Sequence, residues 1–337
     1  MKRGGFRAIS QIFRAESKST NPYYNLALEE YIFEKMDRSK DYFILWQNYN
    51  TIVVGKYQNT AEEINQEYVD EHGIRVVRRL SGGGAVYHDK GNLNYTFIVE
   101  QDKNPEFDFS LFSTPVINAL DKLGVKASLN GRNDISIDGK KFCGNSQYAK
   151  HKRLLHHGCI MLDSNLGTVA DALKVKEAKF DSKSVKSVQS RVTTINANAP
   201  RTISMEEFKE TLKACAFENE ELEEYKLSIV DEAEIMHLKK EKYETWDWVY
   251  GKNPDYNVTY EKKFPSGLVT LKMQVENAQI KDIKIYGDFF GNGEIRELED
   301  QIRGMKIDQS LKENLNKLDV GYYMSGIAAD DLYQIII

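Results

Sequence analysis

Three cysteines, six prolines and no long apolar run set the first limits on this 337-residue chain. Cys143, Cys159 and Cys215 are odd in number and show no Cys-x-x-Cys spacing. That excludes a disulfide framework and a zinc ribbon, and suits a reducing cytoplasm. No stretch approaches the roughly eighteen apolar residues of a membrane span, and MKRGGFRAISQIF at the N-terminus lacks the apolar region of an export signal. Neither membrane insertion nor export is expected. Positive charge is also in short supply: the formal net charge is -5, so general affinity for nucleic acid or acidic membrane is not expected, and any phosphate recognition must be local.

Two nucleotide-binding motifs are missing as well. A Walker loop needs a glycine five residues before Gly-Lys, but the three Gly-Lys pairs have Asn50, Asp134 and Trp246 there. The dinucleotide fingerprint needs a helix after its glycines and a third glycine where Tyr87 stands.

What is present reads as alternating helices and strands. NPYYNLALEEYIFEKM (21–36) has Asn21 as N-cap, Pro22 at the first helical position and Tyr24, Leu28, Ile32 and Met36 four apart, an amphipathic helix. YFILWQN and TIVVGKYQN read as a buried hairpin, and AEEINQEYVDEHG as a short helix closed by Gly73. NLNYTFIVE alternates, with Leu93, Tyr95, Phe97 and Val99 on one side and Asn92, Asn94 and Thr96 on the other. Helices are expected near 111–124, 204–216 and 231–240. From Trp246 the texture changes to a strand pair near 256–286 followed by helical patterns, so the chain divides into a unit over 1–245 and a small α+β unit over 246–337.

Chemistry concentrates in RRLSGGGAVYHDKGNLN (78–94), at the mouth of an expected β-hairpin. Three consecutive glycines sacrifice backbone entropy and packing, which points to unusual dihedrals or close approach of a ligand. Arg78 and Arg79 beside them offer guanidinium forks suited to carboxylate or phosphate oxygens. A second cluster follows in GRNDISIDGKKFCGNSQ, whose Asp138-Gly139 pair signals a two-residue hairpin turn. Ile137 would then pair with Lys140, Ser136 with Lys141 and Asp134 with Cys143. That places Asp134, Ser136, Lys141 and Cys143 on one face and Ile135, Ile137 and Phe142 on the other. An ammonium beside a carboxylate there suits a magnesium-phosphate group. His156 and His157 are neighbours on a strand, so they face opposite ways and do not share a metal. His88 lies close enough in sequence to reach the glycine stretch, and the lysine-rich 175–195 reads as a long surface loop.

Taken together, RRLSGGGAVYHDKGNLN, GRND, KFCGNS, HHGCIML and SVQSRVT, in this order, resemble the lipoate-protein ligases. The resemblance implies an α/β (α+β) fold: a biotin/lipoate ligase-like catalytic domain with a mixed sheet flanked by helices, plus a small α+β C-terminal domain. It implies a cytoplasmic enzyme that uses ATP and Mg2+ to convert lipoate to lipoyl-AMP. The lipoyl group then passes to a lysine of a carrier domain in 2-oxoacid dehydrogenase complexes or the glycine cleavage H protein. Carried over, the essential lysine falls on Lys141, and Asp134 on the position near magnesium and phosphate. Arg79, Ser81, Gly82, Gly83, Gly84, Tyr87, His88 and Asn92 match the lipoate and adenylate motif, with Arg78 beside it. Trp46, His157 and Gly158 match the acyl tunnel, and 178–196 a loop that closes over the adenylate. KFCGNS carries Ser146 where alanine is commoner. The competing expectation is an ATP-independent lipoyl or octanoyl transferase working through a thioester on Cys143 or Cys159.

Overall fold

The computed structural model describes residues 12–100, 108–173, 191–216, 222–251 and 258–337. Three sheets organise them. The large one joins β1 (Ile12–Glu16), β2 (Asp41–Trp46), β6 (Asn92–Glu100), β7 (Ser128–Asn130), β8 (Asp134–Ile137), β9 (Lys140–Lys150), β10 (Arg153–Met161) and β11 (Leu222–Glu224) in the order β11-β1-β2-β6-β10-β9-β8-β7. β1 runs parallel to β2 and β11, and the other neighbours are antiparallel. A second sheet holds β3 (Thr51–Val54) between β4 (Arg75–Arg78) and β5 (Val86–His88). The third is an antiparallel meander of β12 (Val258–Phe264), β13 (Gly267–Glu276) and β14 (Gln279–Gly287). This is the mixed α/β catalytic unit with a small α+β C-terminal unit that the sequence predicts.

Both faces of the large sheet are covered. Leu93, Tyr95, Phe97 and Val99 of β6 turn to one core, which the helices Ser110–Lys122 and Met205–Ala216 close. On the other face lies the helix Pro22–Lys35. Asn21 caps it by accepting from Tyr23 N and Tyr24 N at 3.0 and 3.4 Å. It is less simply amphipathic than its spacing predicts: Asn25 through Glu29 and Tyr31 through Phe33 are all buried, because the sheet flanks it on one side and the helix Ile229–Leu238 on another.

Four local expectations change. β2 and β3 do not form a hairpin; the chain turns at Asn50, whose φ of 50° is left-handed, and each strand enters a different sheet. β4 and β5 are not hairpin partners either, since β3 lies between them and the glycine stretch bridges across its end. The segment before Gly73 splits into helices Thr60–Glu63 and Gln66–Glu71, because Ile64 bridges to Leu173. At the C-terminus the strand pair proves to be three strands. Their core includes Leu271, Ile283, Leu298 and Leu332 and reaches across to Tyr57.

Tyr57 marks the seam between the units: its ring stacks on Phe289 at 4.8 Å, and its carbonyl accepts from Gly287 N at 2.7 Å. Lys56 adds an ion pair with Glu294 at 2.9 Å, and Arg132 sits over the Phe290 ring at 4.4 Å. The turn Trp246–Val249 packs on the second sheet.

Candidate active site

A cleft with about 590 Å³ of empty space, its open mouth included, lies between the large sheet, the second sheet and the buried helix. Trp46, Arg79, Gly83, Gly84, His88, Lys141, His157 and Gly158 line it, together with Leu26, Val53, Asn94, Asn133, Gly144, Asn145, Ser146 and Cys159.

The β8–β9 hairpin builds one end. Asp138 and Gly139 have φ of 48° and 77°, which gives the expected two-residue turn, and Ile137 pairs with Lys140 and Ser136 with Lys141. A bulge then shifts the register, so that Ile135 faces Cys143 and Asp134 faces Gly144. Cys143 therefore does not join the Lys141 face. It is fully buried in the core with Ile135 and Phe142, and burial pushes its thiol well above the usual range. Gly144 takes its place, and the vacancy matters: a Cβ there would stand 2.8 Å from Lys141 Nζ.

Lys141 Nζ pairs with Asp134 Oδ1 at 2.8 Å. Burial works against the ammonium charge, but the neighbouring Asp134 carboxylate outweighs it and raises Lys141 above its ordinary value. The Lys141 backbone is held as well, N donating to Arg191 O at 2.8 Å and O accepting from Thr193 N at 2.9 Å. These contacts lay 191–193 beside Lys141; residues 178–190 of the expected closing loop lie outside the described residues.

Strand parity separates the two arginines. Val77 of β4 turns to the core around the buried helix, Arg79 just past the strand lines the cleft on that side, and Arg78 turns away. Arg78 Nε donates to Trp248 O, Nη1 to the carbonyls of Gly55, Lys56 and Gln58, and Nη2 to Thr60 Oγ1 and Val249 O, at 2.7–3.0 Å. Its donors are spent on the fold. Arg79 donates to Ser81 Oγ and to the carbonyls of Val53, Gly82 and Gly84. No carboxylate pairs with it among the described residues. Burial pulls both guanidinium groups down to about 10, so both stay charged at neutral pH.

The glycines also divide. A Cβ on Gly82 would lie 2.2 Å from Phe289 O, and one on Gly55 2.0 Å from Gly83 O, so the close approach there is by the protein's own backbone. Gly83 has φ of 89°, and Gly84 opens onto free space. Ser146 Oγ donates to Gly82 O at 2.7 Å, bracing the loop against β9. Tyr87 turns to the back of the second sheet, donating to Asn50 Oδ1, and Asn92 is buried beside the cleft, donating to Asn94.

His156 and His157 face opposite ways. His156 packs in the core on Phe112 and accepts from Gln147 Nε2. His157 Nδ1 lies 3.1 Å from Glu29 Oε1 and its Nε2 2.7 Å from Ser81 Oγ. The same carboxylate accepts from Thr96 Oγ1, which in turn accepts from Trp46 Nε1 at 2.9 Å. One network thus ties Trp46, His157, Ser81 and Arg79 together through Glu29. Nothing in ALEEYIF distinguishes Glu29 from Glu30; only packing buries it. Asn94 had a signal, its place on the polar side of β6. Gly158 is glycine for the far face, where a Cβ would strike Asn145 Oδ1 and the Tyr95 ring at 2.4 Å.

Residues 21–217 match the lipoyl protein ligase A/B catalytic domain family, and 253–336 match the bacterial lipoate protein ligase C-terminus. A lipoate-protein ligase of Bacillus subtilis (LplJ) is 42% identical over 329 residues, covering 96% of this chain and 99% of its own. Among solved structures, LipL1 of P. falciparum in complex with lipoate shares the fold, with a TM-score of 0.78 at 24% identity, covering 97% of this chain and 98% of its own. A lipoate-protein ligase A bound with ATP aligns with a TM-score of 0.63 at 25% identity, covering 72% of this chain and 98% of its own. With its cleft, its charged lysine and both family units in order, the chain belongs to the lipoate-protein ligase family and is a ligase enzyme.

Proposed function

We propose that this enzyme joins lipoate to ATP as lipoyl-AMP, releasing pyrophosphate, and then passes the lipoyl group to a lysine of a carrier domain. The observation that carries the reading is the pairing of Lys141 with Asp134 over Gly144, across a cleft that also receives the Arg79 guanidinium. In the first half-reaction a lipoate carboxylate oxygen attacks the α-phosphorus of ATP and pyrophosphate leaves. In the second, the carrier amine attacks the acyl carbonyl, AMP leaves and the amine gives up a proton. Negative charge grows on phosphate or carbonyl oxygen in both, and a cation already in place stabilises it without reorganising. Lys141 would take that role. Arg79 supplies a second buried positive charge, and Gly84 lets backbone approach the acyl-phosphate.

Among the described residues no group of three or more His, Cys, Asp or Glu is placed to hold a metal. A single carboxylate still fits magnesium, which commonly takes one or two protein oxygens and the rest from phosphates and water. Asp134 would hold it, and the ion would neutralise phosphate charge when bound.

The carrier is proposed to be a lipoyl domain of a 2-oxoacid dehydrogenase complex or the glycine cleavage H protein. Cytoplasmic residence is proposed on the three free cysteines; among the described residues no helix is long and apolar enough to cross a membrane. Cys159 lines the cleft and leaves a thioester route one candidate nucleophile, since Cys143 is sealed in the core. Lipoate-dependent ATP–pyrophosphate exchange tests the reading. Lys141→Ala should lower exchange by about 10²–10³-fold with the thermal transition retained. A folded wild type that transfers acyl groups without ATP, and loses this with Cys159→Ser, would overturn it.

A further inference from the structure

The large sheet sorts the three cysteines. Cys143 and Cys215 are buried in the same core, whereas Cys159 is half-buried and lines the cleft. Cys143 pairs with Ile160, the residue after Cys159, so the two sulfurs lie on opposite faces. Both other thiols are thus behind the sheet as seen from Cys159.

The groups around Cys159 come from three sides. On β9 its direct partner is Gly144, where a Cβ would stand 2.8 Å from Lys141 Nζ. Opposed side chains on paired strands start about 5 Å apart, so the ammonium lies one strand from the sulfur. On β6 the partner is Asn94. Asn94 is 1% exposed; its Oδ1 accepts from Asn92 Nδ2 at 3.0 Å, and its own Nδ2 has no acceptor among the described residues. Arg79 brings its guanidinium to the same cleft, and both its charge and that of Lys141 act on the Cys159 sulfur.

A buried N–H without an acceptor is costly, and a thiol is a weak acceptor. An oxygen carried on the sulfur is a strong one, and it would fall between the Asn94 amide and two cations already in place. Partial exposure among positive charges is also what distinguishes a reactive cysteine from an inert buried one.

We propose that Cys159 is a modification site: hydroperoxides oxidise it to a sulfenic acid, and the added oxygen blocks the cleft. The sulfur attacks one peroxide oxygen, the S–O bond forms as the O–O bond breaks, and the thiol proton leaves with the second oxygen as water. Sulfur gives up the electron pair that the peroxide takes. Negative charge grows on oxygen during the step, and Lys141, Arg79 and the Asn94 amide stabilise it. The product then engages the two cations that adenylation needs. With Cys143 and Cys215 behind the sheet, no internal disulfide follows. An external thiol condenses with the sulfenic acid, releasing water, and a second displaces the first as a disulfide and restores Cys159.

The site stands on the surroundings of the sulfur, and its effect on activity rests on the reading of Lys141 and Arg79. The test treats the reduced full chain with a small excess of hydrogen peroxide. Dimedone labelling mapped by mass spectrometry and lipoate-dependent ATP–pyrophosphate exchange are followed together. In the native chain Cys159 should label about 10-fold faster than Cys143 or Cys215, and the three should converge on denaturation. Exchange should fall about 10-fold in step with oxidation and return with dithiothreitol, which separates this lesion from methionine sulfoxide. Cys159→Ser should keep its own untreated rate under the same peroxide, and Asn94→Leu should label several-fold more slowly. Absent or unselective labelling of the native chain, or equal inactivation of a folded Cys159→Ser, would overturn the site. Selective labelling with exchange unchanged would overturn its effect on activity. Should Cys159→Ser not fold, the wild-type label and its reversal decide. A chain without exchange before treatment counts against the adenylating reading, and the labelling still decides the site.

Discussion

The two faces of the second sheet carry the same residue type to opposite ends. On the back, Arg78 gives its donors to five backbone carbonyls and a threonine hydroxyl, tying the 55–60 turn and the Trp246–Val249 turn to β4. On the front, Arg79 is equally buried, 6% exposed against 7%, but holds the glycine loop in shape and brings its charge to the cleft. Burial therefore does not tell an arginine caged by the fold from one that lines the cleft. What separates them is where they point: Arg78 sits in a cage of five carbonyls away from the cleft, while Arg79, bonded to three carbonyls and a hydroxyl, also lines the cleft.

That contrast breaks most visibly at Arg78. Arg78→Met orphans several buried carbonyls and should cost about 3 kcal/mol or more, read as a lower thermal transition together with lost activity. Arg79→Met should do the reverse, lowering kcat/KM for exchange by about 10²-fold while the transition falls less than for Arg78→Met. Equal melting losses in the two variants would erase the distinction. Glu29→Gln sharpens it from behind the cleft. The amide keeps the volume but removes the carboxylate that orients His157, and a loss of about 10-fold in kcat/KM with little change in melting is expected.

The smallest effect concerns acid stability. Burial holds His156 well below its ordinary value, with the neighbouring His157 adding to this, so the folded protein keeps it neutral. Below about pH 6.5 the unfolded chain takes up a proton there that the folded chain does not, and stability falls as pH falls toward the folded value. His156→Phe removes that contribution, so chemical denaturation between pH 6.5 and 4 should show a shallower loss than wild type, with activity at pH 7.5 little changed.

Much of the architecture was legible from local pattern. The Asn21-Pro22 start, the alternation of β6, the Asp138-Gly139 turn and the opposed histidines all depend on residues close in sequence. The features that local pattern does not reveal share a cause. The split of Arg78 from Arg79 follows the same alternation that separates His156 from His157, but both arginines adjoin the glycines in sequence and only packing tells them apart. The bulge that sends Cys143 into the core has no marker in KKFCGN. The glycine run suggests room for a ligand at Gly82, whereas Phe289, over two hundred residues away, supplies the atom that would collide.

By itself the sequence determined the parity of each strand, the caps and turns, and the set of groups able to meet an acyl-phosphate. Those are matters of dihedral preference and period, decided within a few residues. Only the tertiary structure decided which parity faces the cleft, which arginine is caged, and that Glu29 stands behind His157. Each depends on desolvation by segments that meet only after folding, and burial, unlike periodicity, is not a local property.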